Sequence, residues 1–275
     1  ILSDSRYRDH KRIFYKEYIK KTLLKSFSSA IVAGKESTSY LLKLDFKENN
    51  IFKPYDVVDN DYFLKSSKKN KINYSDYFLC ISRFVKKKNL LNLLKSFEIY
   101  KKGNGNLNLL IIGSGPEENL IKEIINKSKF KNSIFVESWK TTNLLPKYYK
   151  NAKATVLAST YDQWGLVINE SMASGTPCIV SKNCGCYLDL IEEGVTGWGF
   201  DPNDVIELSN LFFQVESING IRLYKIRKKI KSKMKEYSLE EFAKAIKRSV
   251  ENALINRKFS LISSILAFFM YILKN

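Results

Sequence analysis

Ala154-Thr-Val-Leu157, the loop Tyr161-Asp-Gln-Trp-Gly165, the segment Leu166-Val-Ile-Asn-Glu-Ser-Met-Ala-Ser174 and the run Cys178-Ile-Val-Ser181 form the stretch that decides the fold. Two short apolar runs flank a segment of helical spacing, and Gly165 stands where the loop turns into that helix. Strand, helix and strand in this order predict two parallel strands joined by a right-handed crossover.

The same alternation extends on both sides. Strands are predicted at 77–82, 107–112 and 133–136, with helices at 89–100, 117–127, 144–150 and 187–193. Apolar strands between amphipathic helices predict a parallel sheet covered on both faces, in a Rossmann-like doubly wound α/β domain over 77–235. Such a sheet takes its ligands at the carboxyl ends of its strands. No repeat of fixed period interrupts the pattern.

Toward the amino end, helices are predicted at 12–27 and 36–44, with a short apolar run at 30–33 between them. Pro54 and the turn signals of 59–61 argue against a helix there, and 56–76 is read as the passage between domains. Toward the carboxyl end a helix is predicted at 203–215. Ser238-Leu-Glu-Glu241 then has the form of a capping box, opening a helix whose apolar stripe is Phe242, Ile246, Val250 and Leu254. This helix, within 236–257, is expected to cross back to the amino-terminal portion, 1–55, and bury that stripe. The uncharged apolar tail within 258–275 would be about 22 Å long as a helix, short of a bilayer's roughly 30 Å core. A packed terminal helix or an interfacial anchor is expected instead.

With 275 residues, 44% hydrophobic and 27% charged, the chain can bury a sizeable core and is not disordered. Its formal charge of +18 suits an anionic partner but does not choose among membrane, nucleic acid and phosphorylated ligand, and a base-composition bias toward lysine would account for it equally. Cys80, Cys178, Cys184 and Cys186 lack zinc-site spacing, and the one histidine, His10, is distant, so reduced thiols and a cytoplasmic protein are expected. The chain starts at Ile1 with no leader pattern after it, so no secretory signal is expected.

Chemistry concentrates in Tyr161-Asp-Gln-Trp-Gly-Leu-Val-Ile-Asn-Glu-Ser-Met-Ala-Ser-Gly-Thr-Pro177. Gly165 at a helix start allows backbone N–H groups to face an anion, a seat for phosphate. Asp162 before it and Glu170 within the helix are two carboxylates able to face one crevice and accept sugar or ribose hydroxyls. Spacing alone equally fits a loop acid and an exposed helix glutamate.

This block resembles the signature of the retaining glycosyltransferases of family 4, the group 1 transferases of the two-domain GT-B fold. Glu170, Gly165, Ala173, Gly175 and Pro177 match its acid, seven residues, Glu and Ala-x-Gly-x-Pro form, while Asp162 stands where Glu is usual. Arg83-Phe-Val-Lys-Lys-Lys-Asn89 is similar to the family's Gly-Arg-x-x-x-x-Lys-Gly element, with Ser82 and Asn89 in place of the glycines. The resemblance implies that Arg83 and Lys88 bind the donor diphosphate beside Gly165, Leu166 and Val167. It further implies that Glu170 holds the ribose and that Asp162 contacts the transferred sugar. Gly113 and Gly115 look like a family turn, and Glu118 occupies the last glycine position of a dinucleotide fingerprint, which disfavours NAD. Residues 1–55 resemble only the last part of the family's amino-terminal domain.

The expected activity is therefore sugar transfer from a nucleotide diphosphate sugar to a glycan or lipid-linked hydroxyl, with retention, without a cofactor or an obligatory metal. Surface polysaccharide or glycolipid assembly would suit a cytoplasmic protein peripheral to the inner membrane face. The alternatives are a GT-B sugar-nucleotide epimerase or phosphorylase, or a non-catalytic basic module. No nucleic-acid motif supports a nucleic-acid partner.

Overall fold

The computed structural model describes residues 1–66, 74, 76–257, 261 and 265. The chain divides into two compact units, 1–57 with 239–275, and 58–238. The first unit has a three-stranded parallel sheet in the order β1-β2-β3, formed by Leu2–Ser3, Ala30–Val32 and Ile51–Phe52. Helices α1 (Phe14–Leu24) and α2 (Lys35–Lys43) connect these strands, and Leu24, Val32, Tyr40, Leu41 and Phe46 make up their core. Arg6 is buried, so its charge needs partners. Asp9 at 2.8 Å and Glu36 at 2.7 Å supply them.

The second unit is a six-stranded parallel sheet of β4 (Tyr77–Ile81), β5 (Asn108–Ile112), β6 (Ile134–Glu137), β7 (Ala152–Leu157), β8 (Cys178–Ser181) and β9 (Gly197–Phe200). Their order is β6-β5-β4-β7-β8-β9. Its helices are α3 (Asn60–Ser66), α4 (Leu90–Lys102), α5 (Glu118–Lys127), α6 (Leu145–Asn151), α7 (Leu166–Ala173), α8 (Tyr187–Leu190), α9 (Val205–Glu216) and α10 (Gly220–Lys235). Every residue of β4 is buried, as a central strand of a sheet covered on both faces requires. Phe78 of β4 lies 4.5 Å from Phe212 of α9, and Tyr100 of α4 lies 5.6 Å from the same ring, so an aromatic cluster ties strand and helices together. The chain builds outward from β4 in one direction and from β7 in the other. The order reverses between these two neighbours, and the crevice beyond their carboxyl ends is the natural ligand site.

The passage expected at 56–76 is in part regular: Asn60–Ser66 is a helix of the second unit, and its buried Phe63 lies 6.2 Å from the Tyr149 ring. The Asp59 side chain accepts from the Tyr62 N–H at 2.9 Å, so the turn signal there opens a helix. Neither β9 nor α10 has a counterpart among the sequence expectations. Two glycines dilute the apolar pattern of β9, and lysines mask that of α10.

The helix Leu239–Ile255, α11, belongs to the first unit and packs on β2 and β3. Its buried face, however, is not the expected stripe. Ala245 and Ser249 face inward, while Val250 is 53% and Leu254 59% exposed. Small side chains let the helix approach the short strands closely. Asn252 then donates to the Ser28 carbonyl at 3.1 Å and the Ser29 hydroxyl at 2.8 Å, which satisfies the loop before β2. Phe242 alone of the stripe is half-buried, 6.1 Å from Tyr55. The apolar tail lies outside the described residues except Leu261 and Ile265. No helix of the described residues is long and apolar enough to cross a membrane.

Candidate functional site

The crevice wall at the end of β4 is formed by residues 82–89. Buried Phe84 anchors it, its N–H donating to the Ser114 carbonyl at 2.8 Å. The turn after β5 comes so close that a Cβ on Gly113 would lie 1.9 Å from the Ser82 carbonyl oxygen. The glycines at 113 and 115 thus serve close approach of two loops. Beyond Phe84 the chain makes a tight turn at Lys86–Lys88 and passes through Asn89 at φ 56°, where asparagine takes the place of a glycine. The Asn89 amide donates to the Ala158 carbonyl at 3.1 Å, and the Thr160 N–H donates to the Lys87 carbonyl at 2.8 Å. The loops after β4 and β7 are therefore stitched to each other by the Asn89 side chain and by a main-chain hydrogen bond.

That stitching brings the basic turn to Asp162. The Lys88 ammonium forms a close ion pair with the Asp162 carboxylate, Lys87 stands 3.8 Å from its other oxygen, and the Ser159 hydroxyl donates to it at 3.2 Å. Asp162 is nearly buried, and these partners hold its side chain in place. Its own carbonyl accepts from the Gly185 N–H at 2.9 Å, which fixes the loop to the turn between β8 and α8. Arg83 is exposed at the end of β4, and among the described residues no carboxylate pairs with it. One carboxylate thus faces two cations, and with Arg83 unpaired beside them the end of β4 carries an excess of positive charge.

Gly165 opens α7 at φ 115°, a conformation that strains any other residue, and a Cβ there would meet Leu157 Cδ2 at 2.6 Å. No side chain caps this helix start. Leu166 and Val167 follow in its first turn, where backbone N–H groups lack helical acceptors. One turn on, Glu170 accepts a hydrogen bond of 2.5 Å from the hydroxyl of fully buried Tyr149. Burial raises the Glu170 carboxyl above its ordinary range, and the Tyr149 hydrogen bond opposes part of that rise.

The structure joins Lys88 directly to Asp162, keeps Arg83 open to solvent and holds Glu170 apart through Tyr149. Sequence reading missed Lys87, Ser159 and Tyr149 as parts of the site. Lys87 adjoins a residue already singled out and Ser159 lies two residues past a predicted strand, so position was their only signal; Tyr149 closes the segment 145–149, whose only signal was its likeness to a family segment. The four cysteines are buried and free, and no three His, Cys, Asp or Glu side chains of the described residues gather as a metal site.

Crevice, cations and glycine-led helix are set in an α/β unit of the GT-B kind. The chain belongs to the group 1 glycosyl transferases, whose family model matches residues 63–237. It is 26% identical over 167 residues to the alpha-monoglucosyldiacylglycerol synthase of Acholeplasma laidlawii, covering 61% of this chain and 41% of that protein. It is 23% identical over 184 residues to the poly(glycerol-phosphate) alpha-glucosyltransferase of Bacillus subtilis, covering 66% of this chain and 27% of that one. It thus spans less than half the length of these relatives. Among solved structures, Anabaena HepE in complex with UDP superposes with a TM-score of 0.77 at 16% identity, over 91% of this chain and 71% of that one. This likeness shows the fold. None of these similarities favours the epimerase, phosphorylase or non-catalytic alternatives.

Proposed function

We propose that the protein transfers a sugar from a nucleotide diphosphate sugar to a hydroxyl of a glycan or lipid-linked acceptor, with retention at the anomeric carbon. The observation that carries this reading is the meeting of Lys87 and Lys88, beyond the end of β4, with Asp162, which lies beyond the end of β7 and three residues before the Gly165 helix start. A diphosphate entering this crevice finds ammonium and guanidinium groups on one side and backbone N–H groups of Leu166 and Val167 on the other. In the reaction the bond from the anomeric carbon to the phosphate oxygen breaks, and the acceptor oxygen bonds to that carbon on the same face. The acceptor proton passes to the departing phosphate, so no protein nucleophile is needed.

Asp162, released from part of its lysine pairing when phosphate competes for those cations, contacts the transferred sugar. Glu170 accepts the ribose hydroxyls. Names such as diacylglycerol synthase, poly(glycerol-phosphate) glucosyltransferase and O-antigen chain mannosyltransferase among the relatives support an acceptor in surface glycan or glycolipid assembly. A cytoplasmic position, peripheral to the inner membrane face, completes the reading.

The test is calorimetry of the folded chain with UDP, GDP, ADP and dTDP and their sugars. One nucleotide should bind saturably, and Asp162→Asn should spare the free nucleotide while weakening the sugar-bearing donor. Absence of binding to every nucleotide would reject the proposal.

A further inference from the structure

Between Glu216 and Glu236 the sequence contains eight Lys or Arg and no Asp or Glu, and all eight lie on α10. The helix turns Ile226, Ile230 and Met234 into the core of the second unit. Arg222, Lys225, Lys228, Lys229, Lys231 and Lys235 are exposed. Lys233 pairs with Glu236 at 3.0 Å, and among the described residues the six exposed cations form no ion pair. Lysine is common throughout this chain, but α3, α5 and α11 offset it. Lys122 pairs with Glu118, Lys127 with Glu123, Lys65 with Asp61 and Lys244 with Glu240, each four residues apart. A base-composition bias would add lysines without removing acids from one helix. On α10, Lys225 meets Lys228 and Lys229, and Lys231 meets Lys235, at the spacings where like charges repel. Nothing within the helix relieves that repulsion.

We propose that the outer face of α10 docks on an anionic lipid surface. The helix is about 24 Å long and presents its cations as a convex strip, the shape that lies on a charged plane. Ile221 is 73% and Tyr224 70% exposed at its amino end, one helical turn apart. An aliphatic and an aromatic side chain beside lysines suit the headgroup boundary, where the ring and the alkyl group enter and the ammonium groups stay with lipid phosphates. Ile221 offers nothing to a nucleic-acid backbone, and a convex helix has no groove to track a single strand. The proposal rests on surface charge, independently of the donor site.

The test is flotation of the full chain with phosphatidylcholine vesicles, with and without phosphatidylglycerol. The Lys225→Gln/Lys228→Gln/Lys229→Gln/Lys231→Gln variant should lose about a hundredfold or more in vesicle affinity, at about fivefold per lysine. A control with equal charge loss on another surface, Lys122→Gln/Lys127→Gln/Lys129→Gln/Lys131→Gln, should bind within about threefold of the parent. Tyr224→Ser should lower the fraction that stays bound at high salt. If the α10 variant melts early, Lys225→Gln/Lys229→Gln and Lys228→Gln/Lys231→Gln should each lose about twentyfold. Equal losses in the α10 and control variants, equal binding to uncharged vesicles, or poly-uridylate binding tighter than vesicles would each overturn the proposal. Nucleotide binding should be unchanged in the α10 variants, so failure of the donor reading and failure of the lipid reading give separate results.

Discussion

Lys88 holds two roles that pull against each other. It neutralises nearly buried Asp162 in the free protein, and it stands where a donor diphosphate would enter. Lys88→Ala should therefore weaken nucleoside diphosphate binding by about ten- to a hundredfold and also lower thermal stability, because a nearly buried carboxylate is left with the more distant Lys87 and the Ser159 hydroxyl. Arg83→Ala should weaken binding similarly with no change in melting, since its side chain is exposed. Calorimetry together with melting curves separates the two, and parental affinity in both variants would remove the phosphate site. Glu170 supplies a pH signature. Its carboxyl is raised by burial, and only the ionised form accepts two ribose hydroxyls, so nucleotide affinity should rise with pH across the window above the ordinary glutamate value. The linkage for stability has the opposite sign. The folded state holds this proton more tightly than the unfolded chain, so the contribution of Glu170 to stability is fully present at low pH and is lost as pH rises through the same window. Glu170→Gln should flatten both slopes, and an unchanged pH profile of binding would show that Glu170 does not meet the ligand.

The connection between β4 and β5 depends on backbone proximity more than on side-chain chemistry. Gly113→Ala must move either the Ser82 carbonyl or the turn, so a loss of at least about 2 kcal/mol is expected in denaturant unfolding, with nucleotide binding weakened as residues 82–89 shift. Helix α11 makes the complementary prediction. Val250→Ser and Leu254→Ser should change stability by less than about 0.5 kcal/mol, whereas Ser249→Leu should cost about 1–3 kcal/mol by crowding the approach to β2 and β3. A large effect at Leu254 would show that the apolar stripe is covered after all. Helical periodicity was legible in this segment, but the inward face was not. A stripe of Phe, Ile, Val and Leu and a neighbouring stripe of Ala, Ser and Asn both repeat every turn. The choice between them depends on the distance to the strands and on loop carbonyls that need a donor, and no local pattern contains either quantity.

The division into residues 1–57 with 239–275 and residues 58–238 places every residue of the proposed donor site in the second unit. Calorimetric melting should accordingly resolve two transitions. A nucleoside diphosphate at a hundredfold its Kd should raise the one that belongs to the second unit by about 5–10 °C and leave the other in place. Equal shifts in both would reject independent units. The doubly wound sheet was legible from sequence because a strand buried on both faces must be largely apolar, so β4, β5, β7 and β8 announce themselves. Asp162 and Lys88 were legible as members of one site because family spacing marks them both. Their direct pairing was not, since 74 residues separate them and only the β4 and β7 neighbourhood brings them together. The Tyr149 clasp on Glu170, the burial that raises that carboxyl and the outward turn of the α10 lysines belong to the tertiary structure for the same reason. Sequence determines which residues are apolar, charged or flexible along the chain, whereas burial and partnership are properties of distances across it.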